Sequence, residues 1–181
     1  MEKEPAILLT DGSLESAVLC AIARQQHEVI LADVSPPGDA AATEAVARQI
    51  DYLRPRHTHP LGQEPAATDP SGLFTWTRAL AAAAPLVRQH RAAALYVPLR
   101  AGESSALFGQ AGEWVQIWEE LLRHGLELGE VRLLAPLLEL ESWQVADLSD
   151  QMQAPATAAH GEANHEAFVR AGRPRPQATG A

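Results

Sequence analysis

A chain of 181 residues, 46% apolar and 20% charged, is long enough to bury one core and too apolar to be a charge-driven disordered polymer. Its formal net charge of -9, from 14 Lys and Arg against 23 Asp and Glu, argues against general binding to a phosphate backbone, which needs clustered cations. The single cysteine, Cys20, excludes an intrachain disulfide and any Cys-rich zinc or iron–sulfur centre held by one chain.

Residues 6–10, Ala-Ile-Leu-Leu-Thr, form a short apolar run ended by Asp11-Gly12-Ser13, the pattern of a buried strand running into a turn. Leu14, Ala17, Val18, Ala21 and Ile22 then recur at helical spacing, with Ser13 as N-cap. Val29 to Ala32 reads as a second strand, broken by Ser35-Pro36-Pro37-Gly38-Asp39, and Ala40 to Leu53 as an Ala-rich helix. A short edge strand within 56–61 and a loop over 62–72 follow. Leu73 to Gln89 is a helix, Ala93 to Val97 a strand, Glu113 to His124 a helix rich in Trp and Leu, and Val131 to Ala135 a last strand. Ser142 is expected to cap a helix over 143–152, and Glu162 to Ala171 to form a short helix. This alternation predicts one three-layer, Rossmann-like α/β domain over 1–172, with a mostly parallel sheet of about five strands, and a disordered tail over 173–181.

In a parallel sheet, ligands bind beyond the carboxyl ends of the strands, and the turn after the first strand opens a helix whose free N–H groups form an anion site. That turn, Asp11-Gly12-Ser13-Leu14-Glu15-Ser16, is neither a Walker loop nor a dinucleotide fingerprint. It resembles the pyrophosphate loop of the N-type ATP pyrophosphatases, Ser-Gly-Gly-x-Asp-Ser, aligned without a gap. Within that superfamily the chain is similar to the 7-cyano-7-deazaguanine synthases over three stretches. These are Ala6 to Asp33, Ala135-Pro136-Leu137-Leu138-Glu139-Leu140 through Ala154-Pro155, and His165 to Gly172 with Pro174 and Pro176. The resemblance implies an adenine nucleotide α-hydrolase-like fold with a nucleotide pocket formed by residues 11–16 and Asp33.

Several positions depart from the family. Asp11 replaces the first Ser, Ser13 the second Gly and Glu15 the Asp, while Gly12 and Ser16 match. An acid at 11 repels phosphate, and a Cβ at 13 restricts a backbone that glycine leaves open. The family's four-cysteine zinc site is absent from 154–164, its Arg-Asn pair is replaced around Leu73-Phe74-Thr75, and its substrate loop reads Pro98 to Ser105. The expectation is a small-molecule or nucleotide pocket with lost or weakened ATP- and magnesium-dependent adenylation and no zinc. Two other functions fit the same residues: an active adenylating enzyme in which magnesium offsets Asp11 and Glu15, and a scaffold using its helical faces.

Lysine chemistry has no candidate beyond Lys3, since every other cation is arginine. Among Arg54, Arg56, Arg78, Arg88, Arg91 and Arg100, the last has the best position for a pocket, directly after a strand. Serine hydrolysis lacks a GxSxG elbow. His57 and His59 share a strand face, and His160, Glu162, His165 and Glu166 cluster in sequence. Both groups read as solvated side chains and no metal is expected. Cys20 falls on the apolar side of its helix and reads as inert. Trp76, Trp114, Trp118 and Trp143 lie on predicted helices, and Trp114 and Trp118 with Phe108, Val115 and Leu122 are candidates for a homodimer face. With no apolar run of roughly 18 residues and no leader pattern, a cytoplasmic protein without membrane or nucleic-acid partners is expected.

Overall fold

The computed structural model describes residues 3–63, 69, 72–102 and 104–154. The elements in order are β1 (Pro5–Thr10), α1 (Leu14–Gln26), β2 (Glu28–Asp33), α2 (Ala40–Leu53), β3 (His57–Pro60) and α3 (Leu73–His90). Then come β4 (Ala94–Tyr96), α4 (Ser105–Glu120) with a π-helical turn over Leu121–Gly125, β5 (Arg132–Leu134) and α5 (Ser142–Gln151). The strands make one all-parallel sheet in the order β3-β2-β1-β4-β5, with β1 at its centre. Helices cover both faces, which is the Rossmann-like three-layer α/β architecture.

Strand alternation builds the layers. In β1, Ala6 and Leu8 face α1, α2 and α5, where they meet Val18, Leu19, Val46 and Val145. Ile7 and Leu9 face the other way, toward Leu80, Ala83 and Val87 of α3. Both faces of β1 are therefore buried, so its sequence is a continuous apolar run rather than an alternating one. Burial of each large side chain contributes about 1.5–3 kcal/mol. The sheet ends in short strands, four residues in β3 and three in β5, which limits pairing with other chains.

The starts of two helices differ from the sequence expectation. Helix α4 starts at Ser105, with Ser104 Oγ accepting from the Leu107 amide at 3.2 Å, rather than at Glu113. Gly109 and Gly112 lower the helical propensity of this stretch, and the fully buried Ala111 between them shows packing overriding it. Helix α5 is capped by Glu141, whose amide donates to Gln144 Oε1 at 2.7 Å, so Ser142 is the first helical residue and not the cap. No helix among the described residues is long and apolar enough to cross a membrane. The expected helix over 162–171, the tail over 173–181, the whole of the third resemblance stretch and all of the 154–164 loop except Ala154 lie outside the described residues.

Candidate functional site

The loop between β1 and α1 turns on Gly12, whose φ of +83° is the left-handed region that glycine enters at no steric cost. A side chain there would also meet α2, because an added Cβ would lie 3.0 Å from the Ala42 carbonyl oxygen and 3.1 Å from Ala45 Cβ. Ser13 follows with φ -68° and ψ 168°, the extended geometry of an N-cap, so its Cβ obstructs nothing in this loop.

Side chains then close the loop on itself. Asp11 Oδ1 accepts from the Ser13 amide at 3.0 Å and from Ser16 Oγ at 2.6 Å. Ser13 Oγ accepts from the Ser16 amide at 3.2 Å and lies 2.8 Å from Ser16 Oγ. With the Ser16 proton given to Asp11, the Ser13 hydroxyl donates to Ser16, forming a hydroxyl relay that ends on the carboxylate. Asp11 thus takes up, from within the loop, the Ser13 amide and the Ser16 hydroxyl at the start of α1.

A second anchor comes from α2. Gln49, fully buried, accepts from Thr10 Oγ1 at 2.5 Å and donates from Nε2 to the Ser13 carbonyl at 3.3 Å. The Gly12 amide donates to Thr10 Oγ1 at 3.2 Å. Sequence reasoning missed Gln49, although it falls on the helix face of Ala42, Ala45 and Val46, where a polar residue signals a specific partner.

Across the gap between β1 and β4, Arg100 Nε lies 3.1 Å from Glu15 Oε1, both side chains 21% exposed. Asp11, Ser13, Glu15 and Arg100 border a cleft of about 180 Å³ closed by Trp76, Pro98 and Leu99. The fold thus joins four of the sequence candidates and adds Trp76, expected only as packing. Gly12, Leu14, Ser16 and Asp33 are not among its lining residues. Leu14 packs partly against the core on the α1 side, Ser16 is fully buried beneath Asp11, and Asp33 Oδ1 accepts from the Ser35 amide and hydroxyl at 2.9 and 2.6 Å. Two larger hollows, about 490 and 480 Å³, flank the last turns of α3 near the start of β4. They lie toward the amino ends of the strands, so the smaller cleft at the carboxyl ends remains the candidate.

The remaining candidates are placed as follows. Cys20 is fully buried, and burial pushes its thiol up to about 12, an inert state. Trp118 and Leu122 are buried in the α3 side of the core, and Trp114 Nε1 donates to Thr77 Oγ1 at 2.9 Å. These three therefore serve intramolecular packing, leaving Phe108 as the most exposed of the proposed dimer-face set. His160, Glu162, His165 and Glu166 lie outside the described residues. Among the described residues, no group of three or more His, Cys, Asp or Glu side chains is placed so that it could hold a metal ion.

No protein-family model matches the chain, and no curated protein matches it. The functional reading rests on the fold and on this cleft.

Proposed function

We propose that this protein is a divergent relative of the 7-cyano-7-deazaguanine synthases that keeps a small-molecule pocket at the carboxyl edge of its sheet and has abandoned ATP-dependent adenylation. The observation that carries the reading is the Asp11 carboxylate bonded to the Ser13 amide and Ser16 hydroxyl, donors suited to hold a phosphate at a helix N-terminus. A phosphate about 4 Å from that carboxylate would meet a repulsion of about 4 kcal/mol at an effective dielectric near 20, roughly a thousandfold in affinity.

Size argues the same way. A cleft of about 180 Å³ falls below the roughly 300–1,000 Å³ of pockets that enclose drug-sized ligands, which supports a ligand smaller than ATP with magnesium. The lining carries two carboxylates, Asp11 and Glu15, against the Arg100 guanidinium. That balance suits a neutral or cationic ligand with hydrogen-bond donors rather than a polyanion.

The test is a thermal-shift titration with ATP and magnesium on the natural chain and on an Asp11→Ser, Ser13→Gly, Glu15→Asp variant that restores the family loop. The expected result is a rise of a degree or two in the restored variant and none in the natural chain. Stabilisation of the natural chain by ATP would overturn the reading.

A further inference from the structure

The exposed large hydrophobic side chains are not spread evenly over the molecule. Among the described residues they are Phe74, Phe108, Ile117, Leu121 and Leu126, all on α3, on α4 or in the turn that ends α4. The opposite layer, α1, α2 and α5, has none. Ile117 stands out, with 65% of its surface open to solvent.

Charge and size are segregated on the same layer. Helix α3 carries Arg78 and Arg88 and no acid, whereas α4 carries Glu113, Glu119 and Glu120 and no base. The outward stripe of α3 reads Phe74, Arg78, Ala81, Pro85 and Arg88, all exposed and spaced by four and three, so its middle is short. The outer flank of α4 presents the larger Ile117 and Leu121, one turn apart. Beside the short residues of α3 lies the hollow of about 490 Å³, bounded by Ala81, Ala84 and Pro85 on one side and by Leu126 and Leu128 on the other.

We propose that this face binds a second copy of the chain, with α3 of each protomer lying on α4 of the other about a two-fold axis parallel to both helices. Each helix returns between parallel strands, so α3 and α4 run in the same direction, and the Trp114–Thr77 hydrogen bond sets their relative level. An axis parallel to the helices preserves that level while exchanging the two. Ala81 then meets Ile117 of the second copy, Pro85 meets its Leu121 and Arg78 meets its Glu113. Each pair matches in level to within two residues, about 3 Å along the helix.

Large side chains thereby enter the hollow beside short ones, and the basic helix covers the acidic one. The other two-fold arrangement, with α3 on α3 and α4 on α4, sets arginines against arginines and glutamates against glutamates, so charge selects the first. The association is isologous, and every contact occurs twice. The cleft-lining residues take no part in this face.

Sedimentation equilibrium of the full chain from about 1 to 200 µM tests this, since a dimer held by mass action shifts with concentration. The expected result is a monomer–dimer equilibrium that Ile117→Asp weakens about tenfold or more. Arg78→Glu and Glu113→Arg should each weaken it about tenfold, because each places two like-charged pairs across the axis, and the double variant should recover most of the loss. Glu44→Arg, the same change of charge on α2, should leave the equilibrium unmoved. Ile117 is exposed, so its replacement disturbs no core, and far-ultraviolet circular dichroism establishes that each variant is folded. A monomer at every concentration, a dimer indifferent to Ile117→Asp, a double variant as weak as the single ones, or an equal loss in Glu44→Arg would each overturn the proposal.

Discussion

Asp11 Oδ1 lies 2.6 Å from Ser16 Oγ, five residues further along the chain, so the turn between β1 and α1 is held shut by its own acid. A charged acceptor that also takes the Ser13 amide contributes more than a neutral one, about 1.5–3 kcal/mol. Replacing it with alanine is expected to lower Tm by about 2–4 °C for each kcal/mol lost. Asp11→Asn keeps an oxygen acceptor and should lose less. An Asp11→Ala protein as stable as the natural one in a denaturation experiment would show that the carboxylate does not hold the loop.

Gly12 and Gly38 provide a matched pair. Their φ values are +83° and +84°, but a Cβ at Gly12 runs into α2 whereas a Cβ at Gly38 has nothing within 4 Å. Gly38→Ala should cost only the backbone strain, about 1–2 kcal/mol. Gly12→Ala should cost clearly more, since the Ala42 carbonyl must move as well. Urea denaturation of both variants checks the order, and equal losses would refute the close approach of α2.

The thiol of Cys20 is held near 12 by burial, so almost no thiolate exists at neutral pH. A thiol reagent should leave the native protein unlabelled for hours and titrate one thiol per chain in denaturant. Rapid native labelling would contradict the burial of this helix face.

His27 carries a pH dependence whose sign follows from burial. Desolvation is the largest influence on its imidazole, Glu4 acts against it, and Arg132 and Lys3 add to it, so its folded value lies below the ordinary 6.5. The unfolded chain takes up the proton first. The contribution is therefore intact above about pH 6.5 and is lost as pH falls through the lowered folded value. Nδ1 of His27 lies 3.1 Å from the Tyr96 hydroxyl, a contact that a neutral ring accepts. Stability measured at pH 7.5 and 5.5 should fall less steeply in His27→Gln than in the natural protein, and identical slopes would remove His27 from the account.

The strands and the cap of α1 were legible because their signals are local: an apolar run bounded by turn residues, and Ser13 three positions before Ser16. The start of α4 was not, since its two glycines point away from a helix and only the packing of Ala111 decides in its favour. In the candidate site, Asp11, Ser13, Glu15 and Arg100 line one cleft, each lying in or just after a loop that follows a strand. The sequence did not reveal that Asp11 turns inward or that Glu15 meets Arg100, 85 positions away, because neither follows from spacing. That the His90 ring stands beside those of His57 and His59 likewise depends on where α3 ends relative to β3, a tertiary distance.

The central place of β1 has a consequence for synthesis. Its first neighbour, β2, follows within a few dozen residues, but its second, β4, begins only at Ala94. At about 5–20 residues per second, roughly 3–12 s pass between translation of Asp33 and of Ala94. Through that interval one side of Ala6, Ile7 and Leu8 is an open strand edge, an adhesive surface on a nascent chain. The sheet is thus vulnerable from the inside out, and how fast the ribosome reaches residue 94 bears on how much of the protein avoids aggregation.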